Sequence, residues 1–175
     1  MSSFTPRFTV PSANDPYYTM ISYGGLNPCI AGSPAAWTGS VLANCVGYCY
    51  ARWYEILLRD PHLYTGDAKY WWSHNSQYVH GSEPKLGAII CFSSAAQGHV
   101  AIVEQIIDHD TIVTSNSAYH ENIFYTQTLR RANNWVWNSN FTFQGFIYLP
   151  SQPISMNETL AALFIRRRKK GRRIQ

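Results

Sequence analysis

A change of hydrophobic period partway along the chain constrains the fold more than any other feature. Between Leu42 and Leu58 the residues Leu42, Cys45, Val46, Cys49, Trp53, Ile56 and Leu57 recur at helical spacing and mark one apolar face. From Lys85 onward the pattern turns to short β-branched and aromatic runs, LGAIICF, HVAIVEQII, TIVTSNS and FQGFIYL, separated by Gly, Asp-His-Asp and Asn clusters. Runs of that kind predict strands of an antiparallel sheet. Helices that precede strands, rather than alternate with them, predict an α+β fold with N-terminal helices packed on the sheet. Asp60-Pro61 is expected to stop the first helix, and DAKYWW (67–72) to form a second short one with Asp67 as N-cap. Residues 1–40, rich in Pro, Gly, Ser and Asn, read as loop wrapping the domain.

At 175 residues with 46% hydrophobic and 14% charged side chains, the chain has material for one domain with a real core. Residues 1–150 are expected to form it, and 151–175 a linker, a short helix and a basic tail. The net charge of +4 belongs to that tail: residues 166–173 hold 7 of the 14 Lys and Arg, whereas residues 1–150 carry 7 basic against 9 acidic side chains. The N-terminus has no apolar signal-like stretch, and no run approaches the roughly 20 apolar residues of a membrane span. Cysteines at 29, 45, 49 and 91 form neither a disulfide framework nor a CxxC metal motif. They read as free thiols, and no cofactor is expected.

One of those thiols sits where a helix begins. Unpaired amides and the partial positive charge of a helix N-terminus favour a thiolate, so Cys45 is a candidate nucleophile. The Cys45 amide and the Asn44 side chain are candidate donors to an oxyanion. Cys45 read alone is equally a small core residue. His99 weighs against that: it follows Gly98 and opens the strand HVAIVEQII, at a sheet edge where an imidazole can serve as general base. Such a base needs an orienting partner, and strand register names two. A hairpin through a two-residue loop, Asp108-His109, sets Ala101 opposite Asn116, diagonal to His99; a three-residue loop, 108–110, puts Ser117 there instead. Asn accepts a hydrogen bond from an imidazole N–H through its carbonyl oxygen, fixing the tautomer without a formal charge.

The blocks NCVGYCYARWYEI, PKLGAIICF, GHVAIVEQI and TSNSAY, with GGLNPCIAG upstream and FTFQGFIYLP at the end, resemble in order the CHAP family of cysteine, histidine-dependent amidohydrolases/peptidases, especially catalytic domains of phage lysins. The resemblance implies a papain-like fold, Cys45 as nucleophile, His99 as base and Asn116 as orienting residue, where related lysins carry an acid. A further polar residue of some relatives falls on Ala118 and is lost. Calcium, bound by some members through an aspartate-rich loop, is not expected from Asn14 and Asp15 alone. The implied activity is cleavage of an amide bond in bacterial peptidoglycan, either as N-acetylmuramoyl-L-alanine amidase or as stem or cross-bridge endopeptidase. The implied setting is a phage lysin, made in the host cytoplasm without a signal peptide and reaching the wall through a holin or within the virion. The alternative is a virion-associated tail component with a local or mainly structural role. The basic tail, LAALFIRRRKKGRR, offers attraction to anionic wall polymers or docking to virion proteins. Trp71, Trp72, Tyr119, Trp135 and Trp137 divide between core and substrate groove, with core the commoner fate.

Overall fold

The computed structural model describes residues 4–12, 15, 17–18, 44–117 and 124–150. Leu42, Cys29, Ala118, Tyr119, most of the N-terminal loop and the whole segment 151–175 lie outside the described residues.

Helix α1, Cys45–Leu57, begins where Asn44 takes an extended backbone and its side-chain oxygen accepts the Gly47 N–H at 3.0 Å, satisfying one of the unpaired first-turn donors. It ends before Asp60-Pro61 can act: Leu58 adopts the left-handed conformation (φ 54°) and its N–H closes on the Tyr54 carbonyl at 2.8 Å. The second helical segment is a 3-10 turn, Ala68–Tyr70, leading into the single-turn α2, Trp71–His74. Asp67 stands at the expected cap position but makes no side-chain cap bond.

Six strands follow: β1 His80–Gly81, β2 Ile89–Ser93, β3 His99–Asp108, β4 Thr111–Ser117, β5 Phe124–Arg130 and β6 Thr142–Ile147. They form one antiparallel sheet in the order β1-β6-β2-β3-β4-β5, the α+β architecture expected from the sequence. On one face α1 buries Cys45, Cys49, Trp53 and Leu57 against Ile89, Cys91, Val100, Ile102 and Ile147. Trp53 is fully buried and its indole N–H donates to the Gly87 carbonyl at 2.8 Å. At roughly 25 cal/mol per Å² over about 200 Å², that one ring contributes about 5 kcal/mol before entropy is counted. On the other face Ile90, Phe92, Ala101, Val103, Ile112 and Phe146 pack under Trp135 and the segment that follows it.

The β3–β4 hairpin turns through His109-Asp110, not through Asp108-His109 or 108–110: Asp108 pairs with Thr111. Two bulges, between Val103 and Gln105 and between Ile106 and Asp108, then shift the register twice. The result is Ile102 opposite Ser115, which sets Asn116 diagonal to His99 by a route the loop-length argument did not contain.

The bulged residue Glu104 is fully buried and ion-paired with Arg52 of α1, itself 4% exposed, through Nε–Oε1 and Nη2–Oε2 contacts of 3.0 Å each. Ser115 donates to Glu104 Oε1 at 2.7 Å, Tyr48 donates to Ser115 at 2.8 Å, and the Arg7 amide reaches Glu104 Oε2 at 2.8 Å. Arg52 also binds Glu55 and the Thr5 carbonyl, and Arg7 pairs with Glu55. Helix, central strands and N-terminal arm are thereby joined in one buried ionic network, which satisfies charges that would otherwise be prohibitive to bury. Among the described residues no helix is long and apolar enough to cross a membrane.

Candidate active site

β3 and β4 bring two of the three candidate residues into direct contact. His99, 7% exposed, and Asn116, 1% exposed, are joined by an Nε2···Oδ1 hydrogen bond of 3.0 Å. The amide orientation of Asn116 is fixed from behind: its Nδ2 donates to Thr114 Oγ1 at 3.0 Å and lies 3.3 Å from the Thr114 carbonyl and 3.5 Å from that of Tyr125. With the nitrogen end so engaged, the end facing His99 is the carbonyl oxygen, which only accepts. Nε2 therefore carries the proton and Nδ1 keeps a free lone pair, the tautomer a general base requires. Thr114 was not singled out in the sequence; its position two residues before Asn116, on the same strand face, was the available signal.

The imidazole is held in an aromatic wall. Its centroid lies 6.4 Å from Phe92, 5.4 Å from Trp137 and 6.2 Å from Phe141, and Trp137 and Phe141 stack on each other at 4.6 Å. Trp137 thus covers the histidine, while Trp71 and Trp135 are core side chains, 0% and 2% exposed. Burial lowers the His99 pKa from its usual 6.5, partly opposed by the Asn116 bond.

Cys45 occupies the first position of α1, 7% exposed, and its sulfur meets the strand at the next residue after the histidine: the Val100 amide hydrogen-bonds it, as do the amides of Val46 and Cys45 itself. Val100 packs in the core beneath the helix while the His99 ring, bonded to Asn116, lies against Trp137, so sulfur and imidazole flank the start of one strand, with no hydrogen bond between them among the described residues. The helix terminus favours a thiolate, yet burial dominates: the thiol pKa is pushed up to about 11, against the three amides, with Asp67 adding to the rise. The resting pair is neutral thiol and neutral imidazole. Asn44, expected as an oxyanion donor, accepts the helix-cap bond with its side-chain oxygen, an arrangement that does not engage its Nδ2 donors, and backbone amides lie at the sulfur beside it. Tyr125 on β5 also lies in this neighbourhood, its phenol pushed up to about 12 by burial and by the charges of Cys45 and Cys49.

Cys49 and Cys91 are fully buried packing residues. Cys45, Cys49 and Cys91 are all unbridged. Among the described residues no group of three His, Cys, Asp or Glu side chains is arranged to hold a metal ion.

Two comparisons with known proteins find similarities. One similar solved structure is the N-acetylmuramoyl-L-alanine amidase from Staphylococcus aureus, 24% identical with a TM-score of 0.45, the match covering 58% of this chain and 30% of that one. No curated protein matches the chain. Residues 35–118, which span Cys45, His99 and Asn116, match the family model of the CHAP domain. Over residues 35–118 the chain is thus similar to the CHAP domain.

Proposed function

We propose that this protein is a peptidoglycan hydrolase that cleaves an amide bond with Cys45 as nucleophile, His99 as general base and acid, and Asn116 as the residue that orients the ring. The observation that supports it best is the buried 3.0 Å His99–Asn116 bond, which leaves Nδ1 free at the strand start where the Cys45 sulfur is hydrogen-bonded. Because both partners rest neutral, attack and deprotonation are coupled. The thiol proton passes to Nδ1 as sulfur adds to the carbonyl carbon, and the tetrahedral oxyanion is met by backbone amides at the start of α1. Nδ1–H then protonates the leaving amine, the C–N bond breaks, and a thioester remains. Water, deprotonated by Nδ1, adds to the thioester; the carboxylic acid departs and the thiol is restored.

Residues 1–150 are the catalytic unit in this reading, and 151–175 an accessory tail. The likeness to phage lysins extends it to an enzyme of lysis or entry, and detection of the protein in purified particles separates entry from lysis. The central test is turbidity of purified Gram-positive walls. Cys45→Ala and His99→Ala are expected to abolish clearing with an unchanged melting temperature, and clearing by Cys45→Ala protein overturns the mechanism. Mass spectrometry of the fragments distinguishes the two cleavage sites: a new stem N-terminus at alanine identifies the amidase, and a cut within the peptide the endopeptidase.

A further inference from the structure

Beyond the sulfur and imidazole, one cavity faces the same side of the sheet as α1. It measures about 230 Å³ and is lined by Trp72, His80, Gly81, Ser82 and Gln144. Pockets for drug-sized ligands run roughly 300–1,000 Å³, so this one suits a single ring. Its position follows from register: Gly145, next to Gln144, pairs with Cys91, and Cys91 pairs with Val100, whose amide holds the Cys45 sulfur. Two strand spacings, roughly 10 Å, therefore separate this end of the sheet from the thiol. The 3-10 turn at Ala68–Tyr70 packs between, against β2 and β3.

The walls are fixed and chemically specific. Trp72 lies directly on Gly145, where any Cβ would come within 2.3 Å of the indole, and its ring packs on His80 at 4.4 Å. His80 Nε2 lies 3.1 Å from the Asn75 carbonyl, an acceptor, so Nε2 bears the proton and Nδ1 is left an acceptor. Gln144 is pinned by its Nε2 donating to the Lys69 carbonyl at 3.2 Å, while its Oε1 is buried with no donor among the described residues. A buried acceptor without a partner is costly, and a ligand that donates to it recovers that cost. An indole wall beside the His80 ring, the Gln144 side chain and the Ser82 hydroxyl matches a ring with apolar C–H faces and polar O–H or N–H groups at its rim.

We propose that this cavity is a saccharide subsite that seats one ring of the glycan strand beside the amide bond being cut. The inference rests on the peptidoglycan reading above. A sugar held this near the thiol also fits the bond joining glycan to stem better than one far along the peptide.

The test uses full-length Cys45→Ala protein and NMR of its indole N–H resonances, with Trp72 assigned from a Trp72→Phe spectrum. A β-1,4-linked N-acetylglucosamine tetrasaccharide is expected to shift the Trp72 signal saturably, whereas a stem peptide without sugar leaves it unmoved. Gln144→Ala is expected to weaken saccharide binding about tenfold at an unchanged melting temperature. A silent Trp72 signal, an unchanged affinity in folded Gln144→Ala protein, or a shift with peptide alone overturns the subsite. Wall clearing by the wild-type enzyme is scored separately, so an active enzyme with a silent cavity loses the subsite and keeps the hydrolase reading.

Discussion

At the scale of single residues, the His99 ring is oriented by a chain of acceptors rather than by a charge. Thr114 Oγ1 holds the Asn116 nitrogen, Asn116 Oδ1 holds His99 Nε2–H, and Nδ1 is left bare. Thr114 is fully buried, so Thr114→Val keeps its shape and removes the acceptor for Asn116 together with the hydroxyl's own 3.3 Å bond to the Gln127 carbonyl. The remaining carbonyl contacts, at 3.3 and 3.5 Å, hold the amide less firmly. Thr114→Val is expected to lower kcat/KM about tenfold, equivalent to one hydrogen bond of about 1.4 kcal/mol, with Thr114→Ser retaining activity. Nitrogen-15 shifts of the His99 ring supply the second readout: a single Nε2-protonated form in wild type and a mixture in the valine variant. An unmixed tautomer in Thr114→Val would show Thr114 to be mere packing. The positions of Cys45 and His99, one at a helix start and one after a glycine at a strand start, were legible in the sequence because each is marked locally. Thr114 was not, because its role depends on which end of an amide faces the ring, and no spacing rule encodes that.

At the scale of elements, the site depends on where β3 begins and how it slips against β4. Gly98 has φ +76°, and a Cβ there would meet the Phe92 carbonyl at 2.5 Å and the Lys69 amide at 2.6 Å, both backbone atoms. Gly98→Ala is therefore expected to destabilise the fold by more than the roughly 1 kcal/mol of an unfavourable φ alone, and to cost activity by shifting His99. Urea denaturation beside wall clearing checks both. Further along β3 the bulge at Glu104 sets register and carries a buried charge. Glu104→Ala leaves Arg52 buried without its main partner and is expected to cost about 3–5 kcal/mol, read as a lower denaturation midpoint at similar slope. Four of the strands were legible as apolar runs. β5 was not: FYTQTLR is an edge strand whose exposed Thr126, Thr128 and Arg130 alternate with a face of Tyr125, Gln127 and Leu129, of which only Leu129 is buried, so no apolar run marks it. The hairpin shows the same limit from another side. Register read from the sequence left Asn116 and Ser117 both open across from Ala101, each through a turn the protein does not use, because bulges depend on long-range partners such as Arg52, 52 residues from Glu104.

At the scale of the whole molecule, the chain stores buried ionisable groups on both faces of one sheet, and its stability must follow pH in two steps. His99 is buried neutral with its pKa lowered from 6.5, so below pH 6.5 the unfolded chain binds a proton that the folded chain refuses. Stability then falls as pH drops, until the folded pKa is reached and the loss levels off. Glu55 supplies the second step. Burial raises its pKa, but hydrogen bonds from Arg7 and Tyr18 and the charge of Arg52 outweigh that and hold it below 4.5. A carboxylate with a depressed folded pKa stabilises above 4.5 and loses that contribution as pH falls through the folded value. Thermal melting from pH 8 to pH 3 should therefore show a plateau above about 6.5, a first decline below it and a second below about 4.5. His99→Gln is expected to remove the first decline and leave the second, while Arg7→Gln, which takes the leading hydrogen bond from Glu55, weakens the second and leaves the first. If His99→Gln melts in parallel with wild type across pH 7 to 5, the imidazole binds protons alike in the folded and unfolded chain, and burial does not hold the ring neutral below pH 6.5.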